Sequence, residues 1–215
     1  MAQGKIALIL VDIQNDFLEK GSLAVANSNS ILEPVIDLIT KVKCKQGLVI
    51  ATQDWHPSNH ISFASNNSDK QPFETKDIEY DGNLVTQVMW PDHCVQGTFG
   101  AKISDKISLD DIDYIVQKGT NPRVDSYSGF ADNNYSEITQ LAKILYQNHI
   151  DTVIVVGLAA DYCVKETCLD SVKFGFKTIL AMDATKPVDS NQLEATLSQL
   201  KSKSVLIQLC SEIEL

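Results

Sequence analysis

The sequence predicts an α/β fold with a mainly parallel sheet between helices, and three observations predict it. Short β-branched runs alternate with longer amphipathic stretches along most of the chain, the pattern of successive βα units. The apolar runs are nearly continuous, as strands covered on both faces must be; half-solvated strands would alternate. Ionisable residues recur where these runs end, and ligands of open α/β sheets bind beyond the carboxyl ends of the strands.

In chain order, IALILVD (6–12) reads as a first strand that ends at Asp12, and ILEPVIDLITKVK (31–43) repeats apolar residues at helical spacing. LVIATQD (48–54) is a second strand, closed by Asp54. Residues 55–100 differ: the stretches DWHPSNHISFASNNSDKQPF and WPDHCVQGTFG are rich in Pro, Asn, Ser and Gly, with little periodicity. Long excursions in compact domains tend to carry function; the part from Asn66 to Thr86 reads as a solvated insertion beside the site. DYIVQKG (113–119), TVIVVGLA (152–159), KTILAMDA (177–184) and SVLIQL (204–209) complete six strands. YSEITQLAKILYQ (135–147), YCVKETCLDSVKF (162–174) and NQLEATLSQLKSK (191–203) supply the intervening helices.

A chain of 215 residues suits one domain over its whole length, and 44% hydrophobic with 21% charged residues is a globular composition. A net charge of −10 argues against nucleic acid or an anionic membrane as partner and favours a small neutral or cationic ligand. No run approaches the roughly 20 apolar residues of a transmembrane helix. The start MAQGKIALILVDIQNDF lacks the cleavage site of a leader. Five cysteines without CxxC spacing fit a reduced, cytoplasmic setting. No GxGxxG or GxxxxGK[ST] loop occurs, which argues against the common nucleotide enzymes. A monomer and a homo-oligomer both fit.

The strand ends bring Asp12, Asp54, His56, Lys118 and Cys163 to one edge. Cys163 would lie in the first turn of a helix, where unpaired N–H groups and the helix dipole favour a thiolate. The plain alternative is a buried cysteine packed as a small hydrophobe, the reading given to Cys44, Cys168 and Cys210. Asp12 can take and return a proton, and Lys118 can favour the thiolate by its charge; alone, each would read as a capping carboxylate and a solvated ammonium. Asp54 and His56, two apart on an extended segment, project from one face and can share a cation, with His93 folding back from its loop. Such an open set suits Zn²⁺, Fe²⁺ or Mn²⁺, and spacing alone leaves metal site and no metal site both open. His149 reads as a helix-end residue.

VDIQNDF (11–17), TQDWHPSNHISF (52–63), WPDHCVQGT (90–98), QKGTNPRVDSYSGF (117–130) and GLAADYCV (157–164) occur in one order. In these stretches the sequence resembles the isochorismatase-like cysteine hydrolases, and among them the nicotinamidases. The resemblance covers about three quarters of the chain. It implies a three-layer α/β/α fold with a six-stranded sheet, and hydrolysis of nicotinamide to nicotinate and ammonia in NAD salvage, with pyrazinamide as a further substrate. It implies a triad of Asp12, Lys118 and Cys163, and one divalent metal, zinc first, on Asp54, His56 and His93, which binds the pyridine nitrogen. The backbone N–H groups of Ala159 and Cys163 would form an oxyanion hole beside a cis Leu158–Ala159 peptide, and Phe17, Trp90 and Tyr127 would line the ring pocket. Some relatives place a further histidine where this chain has Ser62; His60 is expected to be a loop histidine at the entrance, with water completing the coordination or Ser62 orienting such a water. The competing readings are another amidase or enol-ether hydrolase on the same scaffold, and a noncatalytic metal-binding module.

Overall fold

The computed structural model describes residues 5–215; the first four residues, on which the expectation about a leader partly rests, lie outside it. The elements are β1 (Lys5–Val11), α1 (Leu32–Cys44), β2 (Leu48–Asp54), β3 (Thr75–Tyr80), β4 (Asn83–Val88), β5 (Tyr114–Lys118), α2 (Leu141–Gln147), β6 (Ile150–Leu158), α3 (Cys163–Lys173), β7 (Lys177–Lys186), α4 (Leu193–Ser202) and β8 (Leu206–Gln208). Six strands form one sheet in the order β5-β2-β1-β6-β7-β8. Every pairing in it is parallel. The strand order reverses between β1 and β6, the switch point where such sheets open a crevice.

Both faces of the sheet are covered, which explains the near-continuous apolar strands. In β1, Leu8 and Leu10 pack with Val35, Leu38, Ile39 and Val42 of α1. Ala7, Ile9 and Val11 point the other way, into a cluster with Leu141 and Leu145 of α2, Val164 of α3 and Leu200 of α4. The result is three layers, α1 on one face and α2, α3 and α4 on the other. Gly157 sits opposite Val11 at φ +113°; a Cβ there would meet the Val11 carbonyl oxygen at 2.1 Å, so glycine alone lets β6 close on β1 beside the switch point. No helix among the described residues is long and apolar enough to cross a membrane.

Two expectations are corrected here. The insertion at 66–86 is mostly exposed, as expected, but it contains most of an antiparallel hairpin that was not expected, β3 with β4, turned by Asp81 and Gly82 at φ 52° and 77°. An Asp-Gly pair with both φ positive is a favoured two-residue hairpin turn, and the alternation in TKDIEY was its local signal. The helix expected over 135–147 forms only from Leu141. The Asp132 carboxylate accepts backbone N–H bonds from Asn134, Ser136 and Glu137, which holds the preceding segment as a loop.

Candidate active site

Asp12 follows β1 in a left-handed conformation (φ 48°) and is fully buried. Its N–H donates to Thr52 Oγ1 (3.1 Å), and the Thr52 hydroxyl donates back to Asp12 Oδ1 (2.6 Å). Asp12 Oδ2 faces the Lys118 ammonium at 2.9 Å. It accepts no aligned hydrogen bond among the described residues, and so stays open to a proton. Lys118, the last residue of β5, also donates to Asp54 Oδ1 (2.5 Å) and the Ser126 carbonyl (2.9 Å), and lies 3.5 Å from Cys163 Sγ. The three residues expected as a triad therefore meet, and Asp54 joins them.

Their protonation follows from burial and neighbours. Burial raises the Asp12 carboxyl to about 6, with Lys118 opposing and Asp54 adding to the rise. Burial opposes the Lys118 charge, but Asp12 and Asp54 hold it well above its ordinary value, so it stays an ammonium. Burial also pushes the Cys163 thiol well up, against Lys118, and Asp12 and Asp54 add to that. Two carboxylates and lost solvent thus favour the protonated thiol, against one ammonium and the helix dipole, so a base must take its proton.

Asp54, His56 and His93 bring one ligand atom each within 4.8 Å of one another. His56 Nδ1 lies 2.8 Å from the Gly119 carbonyl and His93 Nδ1 2.8 Å from the Pro91 carbonyl. Each carbonyl can only accept, so both imidazoles carry Nδ1–H and turn Nε2 toward Asp54 Oδ2, at 3.6 and 3.9 Å. Burial and His56 lower His93 to about 4, which keeps it a neutral ligand. Burial acts to lower His56, but Asp54 and Asp125 outweigh it. Burial acts to raise Asp54, and Lys118 with His56 draws it well below the carboxylate range. Asp12 and Asp54 are buried against Lys118, the one buried ammonium among the described residues, and Asp125 is buried close to His56 and His60. Three carboxylates against one ammonium leave a formal excess of two negative charges, which a divalent cation on this nitrogen and oxygen set would neutralise.

Gly119 has φ +65°, and a Cβ there would meet His56 Cε1 at 2.3 Å and Nδ1 at 2.6 Å. Gly119→Ala should thus turn the imidazole away and weaken metal binding by about 10- to 100-fold. Competition with a metal-chelating dye checks this; wild-type affinity would contradict it.

Between these groups lies a pocket lined by Phe17, Trp90, Tyr127, Ala159, Tyr162 and Val188, with Asp54, His93, Asp125 and Cys163 also on its wall. Its aromatic wall is braced by Tyr162 against Trp90 (ring centroids 4.9 Å) and Tyr127 (5.5 Å). The Leu158–Ala159 peptide is cis. The N–H groups of Ala160, Tyr162 and Val164 are taken by the Lys186 and Ala159 carbonyls, whereas those of Ala159 and Cys163 have no acceptor among the described residues.

All the site residues expected from the sequence converge, and others join them. His60 is not at the entrance: a turn at Pro57 (His60 N–H to Pro57 O, 3.0 Å) folds it beneath His56, fully buried, with ring centroids 4.2 Å apart. Its Nδ1 lies 2.7 Å from Ser62 Oγ, so Ser62 is engaged with His60. Asp125, Tyr162 and Thr52 went unread; only the DSYSGF stretch and the second strand held a signal for two of them. Cys168 and Cys210 are buried as expected, but Cys44 is exposed. His149 follows the end of α2 at φ 57°, the helix-end role expected of it.

An isochorismatase-domain model matches residues 6–212. A nicotinamidase of Escherichia coli is 43% identical over 183 residues, covering 85% of this chain and 84% of that protein. The solved structure of an Acinetobacter baumanii nicotinamidase and pyrazinamidase superposes with a TM-score of 0.91 at 39% identity, covering 99% of each chain. A pyrazinamidase of Pyrococcus horikoshii, solved in complex with zinc, gives 0.79 at 37% identity, over 95% of this chain and 99% of that one. A match across nearly the whole length, in sequence and in backbone, means that the chain belongs to the isochorismatase-domain family.

Proposed function

We propose that the protein is a nicotinamide amidohydrolase, which releases nicotinate and ammonia for NAD salvage and also accepts pyrazinamide. The observation that carries this reading is the meeting of Cys163, Lys118 and Asp12 on the wall of an aromatic pocket that also holds Asp54 and His93. The names of the E. coli and A. baumanii relatives support the substrate. All five cysteines are free thiols, which supports a reducing, cytoplasmic setting.

In this mechanism Asp12 takes the Cys163 proton as sulfur attacks the carboxamide carbon. The N–H groups of Ala159 and Cys163 receive the tetrahedral oxyanion. Asp12 returns the proton to the departing ammonia, leaving a thioester; water, deprotonated by the same carboxylate, then releases nicotinate and restores the thiol. Lys118 offsets the negative charge that passes between sulfur and Asp12. Phe17, Trp90 and Tyr127 hold the ring and exclude water from it. Asp54, His56 and His93 would hold one divalent metal, zinc by analogy with the P. horikoshii relative, with iron or manganese fitting the same donors. When bound, the metal supplies a Lewis acid for the pyridine nitrogen.

Ammonia release from nicotinamide, pyrazinamide and an aliphatic amide tests the reading: the two ring amides should be strongly preferred, and preference for the aliphatic amide would overturn it. Elemental analysis should find about one divalent ion per chain on the three-ligand site. Chelation should remove activity that added metal restores; full activity without metal would refute that assignment.

A further inference from the structure

Gln87 lies on β4, near a segment expected to be solvated, yet it is buried. The two N–H groups of its Nε2 face three acceptors, the Val88 carbonyl (2.8 Å), Asp125 Oδ2 (2.8 Å) and, more distant, the Tyr127 hydroxyl oxygen (3.2 Å), so one hydrogen is shared. The Trp90 indole N–H donates to the same Tyr127 oxygen (3.3 Å). A tyrosine oxygen has two lone pairs and one hydrogen, and both of these partners can only donate. The Tyr127 hydrogen therefore has nowhere to go among them, and no acceptor for it occurs among the other described residues. Burial holds this hydroxyl well above its ordinary value, so it keeps its proton. Tyr127, Trp90 and Asp125 line the pocket; Gln87 stands behind them.

We propose that Gln87 is a positioning residue for the ring pocket, which by donating to Tyr127 and Asp125 together obliges Tyr127 to present its O–H to an acceptor atom of the bound heteroaromatic carboxamide. Asp125 is the acceptor that would otherwise compete for that hydrogen, since one amide group bridges the two. With Gln87 in place its N–H lies between the carboxylate and the hydroxyl oxygen, and the hydroxyl hydrogen is directed to the ligand. Without it, Tyr127 can turn its O–H to Asp125, and the ligand loses a donor. The hairpin is thereby part of substrate recognition, although it carries none of the reacting groups. The proposal rests on the amidohydrolase reading above.

Steady-state ammonia release from nicotinamide by the wild type, Gln87→Leu, Tyr127→Phe and the double variant tests it. Loss of one net hydrogen bond should raise KM about threefold to tenfold in each single variant. A contact made equally in ground and transition states leaves kcat within about twofold. The double variant should be no worse than either single one, because both remove the same interaction. Additive effects on KM, or an unchanged KM in Gln87→Leu, would overturn the proposal. Gln87→Met, unbranched and without a donor, must behave as Gln87→Leu does and serves if the leucine variant does not fold. A wild-type protein that releases no ammonia from nicotinamide overturns the functional reading and this proposal with it; turnover with an additive cycle overturns only the proposal.

Discussion

Cys163→Ala is expected to abolish ammonia release from nicotinamide while the protein stays folded. In the proposed mechanism the Cys163 sulfur, 3.5 Å from Lys118 Nζ, is the atom that forms the thioester. Loss of the nucleophile should cost on the order of 10⁴-fold or more in kcat, by comparison with other covalent hydrolases. The fold should survive, because Cys163 opens α3 and an alanine there is helix-compatible and leaves only a small void. A circular dichroism spectrum like that of the wild type, with no measurable turnover, is the expected pair of results. Retained turnover would remove sulfur from the mechanism.

Asp12→Asn should lower kcat/KM by about 10²- to 10⁴-fold, the usual span for a general acid–base residue. The same group fixes the acid limb of the pH profile. With its carboxyl raised to about 6, Asp12 is the base only above that value, so kcat/KM for the free enzyme should fall about tenfold per pH unit below it. Stability has the opposite sign. A carboxyl raised from 3.8 to about 6 on folding favours the folded state most below the unfolded value, and that contribution is lost as pH rises through about 6. At neutral pH the charged Asp12 is thus a strain on the fold, and Asp12→Asn should not lower the melting temperature there. A large fall in Tm, or an acid limb unchanged by the substitution, would show that another group governs both.

The strands and the reactive strand ends were legible because each rule acts locally: β-branched apolar runs end where the sheet ends, and Asp12, Asp54 and Lys118 stand there. His60 was not, because its place beneath His56 depends on a turn closed at Pro57 and on Phe63 packing beside both rings, which no spacing rule encodes. The first half of the helix expected before Leu141 had helical periodicity; a carboxylate three or more residues away captured its N–H groups instead. The hairpin was masked by its polar composition. Its inward positions include Lys76 and Gln87, whose hydrogen bonds do the work that apolar side chains do in an ordinary core strand.

The sheet register also sets how this protein can change over evolution or in the laboratory. Asp54 and Lys118 are direct partners across β2 and β5, and Asp12 ends the next strand, so strands held about 4.8 Å apart by ladder hydrogen bonds fix their spacing. Phe17, Trp90, His93, Asp125, Tyr127 and Val188 come from loops. In the proposed mechanism, bond-breaking chemistry is thus tied to the hydrogen-bonded sheet, and ring selection to the loops, the part most tolerant of insertion and exchange. Loop replacement can redirect the hydrolase to new amides without rebuilding its reacting groups, whereas a one-residue slip of β5 would carry Lys118 out of line with Asp12, Asp54 and Cys163 at once.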